Sequence, residues 1–338
     1  MTSINKDLIV ALDLMGGDLG PSVSVPAAKR ALLISPDLSL ILIGDPASCI
    51  PLLKKERLQS HPRVKFIPSE SSVSSQDRPG KALRHSRGTS MRLAVEQVAS
   101  GNAGSCVSAG NTGALMAIAT HILSTVEGME RPALASFIPK EGGGKTLLLD
   151  LGANVSCTAR NLVEFAVMGA RKFQAENLSG ELPKVALLNV GTEENKGNNV
   201  IHETSEHLIK LKCLKYIGYV EGDSLFCSPA DVIVCDGFTG NIALKSSEGL
   251  VRMIHSLLSR NLRGFWWWLR IPLGLFLRRK LAIIHPDRYN GASLLGLKGV
   301  VVKSHGSAGV SATASAILRA QKEALADLPS NFLDIINR

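Results

Sequence analysis

D-V-I-V-C-D-G-F-T-G-N-I-A-L-K-S-S-E-G, residues Asp231 to Gly249, carries three signals in succession. Val232 to Cys235 is a short apolar run of the kind that forms a buried strand. Asp236-Gly237 ends it, Gly240-Asn241 opens the next element, and Ile242 to Leu250 has helical spacing. The unit is a strand, a glycine corner and a helix. Such a corner favours anions, because the first N–H groups of a helix lack intrahelical partners and the dipole adds positive charge there. Asp236, Thr239 and Asn241 put polar side chains at the same place.

Working outward, similar corners stand at Asp13 to Asp18, Ala109 to Gly113, Leu151 to Asn154, Asn189 to Gly191 and His305 to Ser307, each after an apolar run. Strand and helix patterns alternate along the 338 residues without an internal repeat. That predicts an α/β fold, a mostly parallel sheet with helices on both faces. One exception is a hairpin, Ala133 to Ile138 and Thr146 to Leu151 joined through Lys140 to Lys145. Aromatics are only 4% against 45% apolar residues, so the core is aliphatic, as buried parallel strands require. In an open sheet of this kind the strand carboxyl ends share one edge, and the corners are expected to converge on a single cleft.

The six cysteines have no C-x-x-C spacing and read as reduced core residues. Met1 to Asp7 is polar and lacks the apolar stretch of a secretory signal, so a cytoplasmic location is expected. The formal net charge of +9 points to acidic partners: phosphate, an acidic protein or an anionic lipid surface. No nucleic-acid motif accompanies it. Lys81, Arg84 and Arg87, after the Ser-rich loop Pro68 to Gly80, are spaced by three on an expected helix. They read either as a solvated face or as a docking patch for an acidic protein.

Residues 260–285 break the alternation. Gly264 to Leu277, about 14 residues and about 21 Å if helical, is too short to span a bilayer and is interrupted by Arg270 and Pro272. All three tryptophans, Trp266, Trp267 and Trp268, lie here with Phe276 among six cations, which suits a segment lying in a membrane interface. A buried helix or a dimer contact is the other reading.

Several chemistries are excluded. His202 and His207 are five residues apart, about 140° around a helix, so they do not form a zinc-protease pair. No G-x-S-x-G elbow, Walker lysine loop or G-x-G-x-x-G is present, and neither metal nor cofactor is expected. What remains is a cleft of glycine corners, asparagines and lysines, with His305 after the last strand and no evident protein nucleophile. The substrate then brings its own nucleophile, and inorganic phosphate serves, held by helix termini and lysines.

The blocks D-L-M-G-G-D-L-G-P (Asp13 to Pro21), S-A-G-N-T-G-A (Ser108 to Ala114), R-P-A-L (Arg131 to Leu134) and L-L-D-L-G-A-N (Leu148 to Asn154) continue in order along the chain. L-L-N-V-G-T-E-E-N-K-G (Leu187 to Gly197), V-C-D-G-F-T-G-N (Val234 to Asn241) and N-G-A-S-L-L-G (Asn290 to Gly296) with His305 to Ser307 complete them. Together they resemble the bacterial phosphate acyltransferase family, the PlsX type, from Leu8 to about Ala320. Leu14, where Ala is common, and Asn290, where many members have Gly, depart from its pattern. The resemblance implies a fold similar to phosphotransacetylases and isocitrate-type dehydrogenases, in one catalytic domain over residues 1–338 with a variable Trp-rich segment. It implies transfer of a fatty acyl group from acyl carrier protein to inorganic phosphate, giving acyl-phosphate for phospholipid synthesis. A homodimer is implied, attached peripherally to the inner face of the cell membrane, whose product passes to a membrane glycerol-phosphate acyltransferase. Two other readings stay open: a short-chain enzyme using a coenzyme A thioester, and a non-catalytic membrane-surface scaffold.

From their placement, Lys196, Asp236, Asn241 and His305 are the expected catalytic residues. His305 is expected to hand a proton to the departing thiolate, oriented by Asp236, or else to be structural. Asp13, Gly16, Gly17, Gly110, Asn111, Thr112, Asn154, Gly240 and Lys245 are the expected substrate contacts, with helix capping as the alternative role of the asparagines.

Overall fold

A computed structural model describes residues 6–177, 180–261 and 290–327. Residues 262–289, with Trp266, Trp267, Trp268 and Phe276, lie outside the described residues. The elements in chain order are β1 (Ile9–Asp13), α1 (Pro21–Ile34), β2 (Ser39–Gly44), α2 (Pro46–Lys55), β3 (Val64–Pro68), α3 (Pro79–Arg84) and α4 (Ser90–Ala99). They continue as β4 (Ser105–Ser108), α5 (Thr112–Leu123), β5 (Ala133–Pro139), β6 (Lys145–Leu149), α6 (Ala159–Glu176), β7 (Lys184–Leu188), α7 (Asn199–Leu208) and β8 (Lys215–Val220). Last come β9 (Val232–Val234), α8 (Gly237–Asn261), β10 (Ala292–Leu295), β11 (Val300–Lys303) and α9 (Val310–Leu325).

The strands among the described residues belong to one sheet in the order β3-β2-β1-β4-β11-β10-β5-β6-β9-β7-β8. Most pairs are parallel, but β10 is antiparallel to both β11 and β5, and β5 is antiparallel to β6. These three antiparallel pairings reverse the strand direction across the seam, so β1 to β5 and β11 run one way while β6 to β10 run the other. This corrects the expectation of one shared edge. The corners after β1, β4 and β11 lie at a first sheet edge, and those after β6, β7 and β9 at the second, opposite edge. Periodicity within a strand fixes which residues share a face, not which neighbour the strand pairs with.

Alternation along each strand divides the core. Ala11, Cys106, Leu134, Ile138, Leu148 and Val301 point to the face covered by α4, α5 and α8. On the other face, Val10, Leu12 and Val302 meet α1, α2 and α9, while Ala135, Phe137 and Leu147 meet α6 and α7. Several helix starts follow local chemistry: Asp45 caps α2, Thr89 caps α4, Asn111 caps α5, and Thr158 with Asn161 forms a capping box on α6. α3 stops at Arg84, so Arg87 sits in the turn before α4 and not on a continued helix face with Lys81. Cys49, Cys106 and Cys235 are buried and free, as read from the sequence. Cys157 and Cys213 are half-buried, and Cys227 is exposed.

Candidate active site

At the first edge three loops pack on one another through glycine. An added Cβ on Gly16 would lie 2.6 Å from the Gly110 nitrogen, and one on Gly17 would lie 3.0 Å from the Gly306 oxygen. Asp13 is buried among them; its carboxylate accepts from Ser108 Oγ at 2.7 Å and from the Met15 N–H at 3.1 Å. Burial raises its pKa, and the Ser108 hydrogen bond only partly offsets that. Asn111 is fully engaged in structure: Oδ1 accepts from the Ala114 N–H, and Nδ2 donates to the Ser75 and Asp77 carbonyls, which pins the Ser-rich loop.

The second edge is organised by Asp150, which no solvent reaches. Its carboxylate accepts from the N–H groups of Leu134, Gly152, Ala153 and Asn154 and from the Asn154 side chain, at 2.7 to 3.2 Å. Asn154 also donates to the Pro132 carbonyl, so it holds a loop. Asp236 accepts from the Thr239 N–H at 2.8 Å and from its hydroxyl at 3.1 Å, thereby closing the first turn of α8. Gly240 presses α8 against this corner, since a Cβ there would stand 1.9 Å from the Asp150 oxygen.

α8 starts at the second edge and runs back over the seam toward the first. Between α8, α5 and the sheet lies a cavity of about 750 Å³. Its floor is the inward face of β5 and β6, Leu134, Ser136, Ile138 and Leu148, continued by Leu151 and Leu225. From α8, Asn241, Leu244, Lys245, Glu248 and Arg252 face it, at offsets of three, four, seven and eleven residues that define one helical stripe. Thr112, Lys303, His305, Gly306 and Ser307 line its first-edge end.

The expected residues are thus divided. Thr112, Asn241, Lys245 and His305 come together around the cavity. Lys196 is exposed on the loop after β7, and it does not line the cavity. Asp236 is not the partner of His305, because β9 and β11 end at opposite edges. The carboxylate facing His305 is Glu248, with Oε2 3.8 Å from Nε2. Nδ1 of His305 accepts the Ser307 N–H at 3.2 Å, which leaves Nε2 as the protonated nitrogen of the neutral ring. Asn290 fixes this loop: Oδ1 accepts the His305 N–H at 2.9 Å, while Nδ2 donates to Ser304 Oγ and the Ala312 carbonyl.

Sequence reasoning passed over Lys303 and Glu248. Lys303 ends an otherwise apolar strand, two residues after Val301 and so on the cavity face; that alternation was the available signal. Glu248 lies seven residues after Asn241, two turns along the same stripe. Lys303 is only 8% exposed, and burial pushes its ammonium down to about 8 against the pull of Asp18 and Asp13.

Comparison with known proteins places the chain in a family. The sequence model of a family described as "Fatty acid synthesis protein" matches residues 8–330. A protein of Aeromonas salmonicida (strain A449) named "Phosphate acyltransferase" is 49% identical over 328 residues, 96% of this chain and 95% of that one. Among solved structures, a phosphotransacetylase from Streptococcus pyogenes has a TM-score of 0.63 at 16% identity, covering 95% of this chain and 97% of its own. EutD phosphotransacetylase from Staphylococcus aureus has a TM-score of 0.59 at 16% identity over 95% of both chains. These two share the fold. The match in sequence extends over nearly the whole chain, and the chain belongs to the bacterial phosphate acyltransferase family as an acyltransferase.

Proposed function

We propose that the protein transfers a long-chain fatty acyl group from acyl carrier protein to inorganic phosphate, forming acyl-phosphate for phospholipid synthesis. The observation that carries this reading is the cavity itself, an aliphatic floor over β5 and β6 joined to a rim bearing Lys303, His305 and Lys245. An acyl chain suits the floor and an anion suits the rim. A phosphate oxygen attacks the thioester carbonyl carbon, a C–O bond forms, the C–S bond breaks, and its electron pair leaves on sulfur. The proton lost by hydrogen phosphate reaches the thiolate through His305 at the rim. Direct attack fits the cysteines, since burial pushes the Cys157 thiol up to about 11 and raises those of Cys106 and Cys235 further.

The carrier's acidic surface would meet Lys81, Arg84 and Arg87. α3 lies beside the first-edge rim, where a Cβ on Gly113 would touch Pro79 at 2.7 Å. On this reading the protein works as a cytoplasmic homodimer on the inner face of the membrane. Its Trp-rich segment contacts anionic lipid, and its product passes to a membrane glycerol-phosphate acyltransferase. Among the described residues no helix is long and apolar enough to cross a membrane.

Purified protein with phosphate and either a long-chain acyl carrier protein thioester or a short-chain coenzyme A thioester tests the assignment. Acyl-phosphate is expected from the first, and faster turnover of the second would transfer the reading to the short-chain enzyme. Sedimentation of the same protein with anionic vesicles, lost on Trp266→Ser/Trp267→Ser/Trp268→Ser, tests the membrane contact; full sedimentation of that variant would refute it.

A further inference from the structure

Among the described residues two lysines are buried, in opposite ways. Lys172, fully buried, contacts Glu323 at 2.6 Å and Glu176 at 3.1 Å, so its charge is matched. Lys303 has no carboxylate within ion-pair distance among the described residues. Its ammonium donates only to two backbone carbonyls, Ala109 at 3.3 Å and its neighbour Ser304. An ammonium has three donors, and a buried charge persists in a fold only when something compensates it. Two donors are used here. No side chain or carbonyl takes the third among the described residues, and Lys303 lines the cavity together with His305 and with Thr112 at the start of α5.

We propose that Lys303 is the phosphate-contacting residue, holding the attacking anion at the first-edge end of the cavity. This rests on the acyl transfer to phosphate described above. It goes further by choosing between the ends of the cavity. The second-edge corner spends the N–H groups of Gly152, Ala153, Asn154 and Thr239 on Asp150 and Asp236, whereas the first-edge end presents a buried ammonium with a donor to spare. Phosphate seated on Lys303 leaves the acyl chain to run along Leu134, Ile138 and Leu148 toward Leu151. Lys303 then neutralises the nucleophile and donates toward the carbonyl oxygen as negative charge develops on it. In the step itself the phosphate oxygen gains the acyl carbon, sulfur takes the C–S electron pair, and the hydrogen phosphate proton ends on sulfur. Lys303 keeps its own protons throughout.

The charged groups that act on Lys303 are Asp18 and Asp13 from the β1 loop, and His305 after β11 with Lys245, Glu248 and Arg252 from α8 line the same cavity. Because burial holds Lys303 at about 8, phosphate affinity is expected to fall as pH rises through that value. Phosphate itself is already dianionic there, which separates its titration from that of Lys303.

The test uses full-length wild type, Lys303→Met and Lys303→Arg, with calorimetric binding of inorganic phosphate measured beside phosphate and thioester KM values. Lys303→Met should weaken phosphate binding and raise its KM about tenfold to a hundredfold, the loss expected of a charged hydrogen bond. Its thioester KM should stay near wild type. Lys303→Arg should keep phosphate binding and lose the decline near pH 8. If Lys303→Met binds phosphate as wild type does, the assignment is overturned. If that variant does not fold, the wild-type profile decides, and phosphate binding that does not fall between about pH 8 and 10 overturns the assignment. A wild type that binds phosphate through Lys303 yet makes no acyl-phosphate would sink the acyl-transfer reading and leave the anion site standing.

Discussion

Single atoms decide how the second-edge corner is built. Gly240 has no Cβ because the space belongs to the Asp150 carbonyl, 1.9 Å from where one would stand. Relieving that overlap means moving backbone against backbone, not turning a side chain. Gly240→Ala is therefore expected to destabilise the protein by about 3 kcal/mol or more, at the upper end for overpacking a core. Gly249→Ala, on the same helix with open space around it, should be neutral or slightly stabilising. Urea unfolding of the two variants checks this, and equal midpoints would show that the corner yields. The sequence marked Gly240 as a candidate substrate contact because a glycine corner and a packing glycine look alike in one chain. Lys303 is the converse: a position that strand alternation places on the cavity face, passed over because lysines usually snorkel to solvent at strand ends.

Elements meet across the seam where strand direction reverses. One face of the seam carries the cavity; the other carries an ionic clasp of α6, β6, β10 and α9. Glu176 joins Lys145, Lys172 and Lys322, and Glu323 joins Lys172 and the Ser293 hydroxyl. Burial alone would raise the Glu176 pKa, yet Lys172, Lys145 and Lys322 hold it at about 2, below its ordinary 4.5. A carboxylate depressed on folding adds stability that is full above about pH 4.5 and is lost as pH falls toward 2. The side chain is 10% exposed, and the shift corresponds to about 3 kcal/mol. Glu176→Gln is expected to lower stability by that order at pH 7 and to flatten its decline between pH 4.5 and 2. Denaturant melts across that range check it, and an unchanged acid limb would mean the clasp contributes little. Strands such as β1, β2 and β9 and the β5–β6 hairpin were legible, because short apolar runs bounded by glycine are local signals, whereas β10 was not read as a strand. The reversal was not legible, since it depends on β10 entering between β11 and β5, a pairing between residues far apart in sequence. The start of α8 was misplaced for a local reason, as Gly237 and Gly240 are poor helix formers and Asp236 supplies the cap that overrides them.

Over the whole molecule, the charge of +9 gains meaning from where its cations sit relative to the cavity. α3 and the turn after it stand beside the rim that carries Thr112. Lys81 there is paired with Asp77 at 2.9 Å, whereas Arg84 and Arg87 are exposed and without an ion pair among the described residues. The sequence weighed all three cations equally; the structure shifts the emphasis to the two arginines. On the proposed reading an acidic carrier approaches this side and delivers its thioester to the Lys303 end, so long-range attraction speeds encounter and is screened by salt. Arg84→Glu/Arg87→Glu should raise the KM for the carrier thioester and flatten its salt dependence. The phosphate KM should not move, because neither arginine lines the cavity. A coenzyme A thioester supplies the control, since the variant should use it as well as wild type does. Steady-state kinetics at low and high salt with both donors decide the matter, and carrier kinetics equal to wild type at low salt would return the arginines to a solvated face.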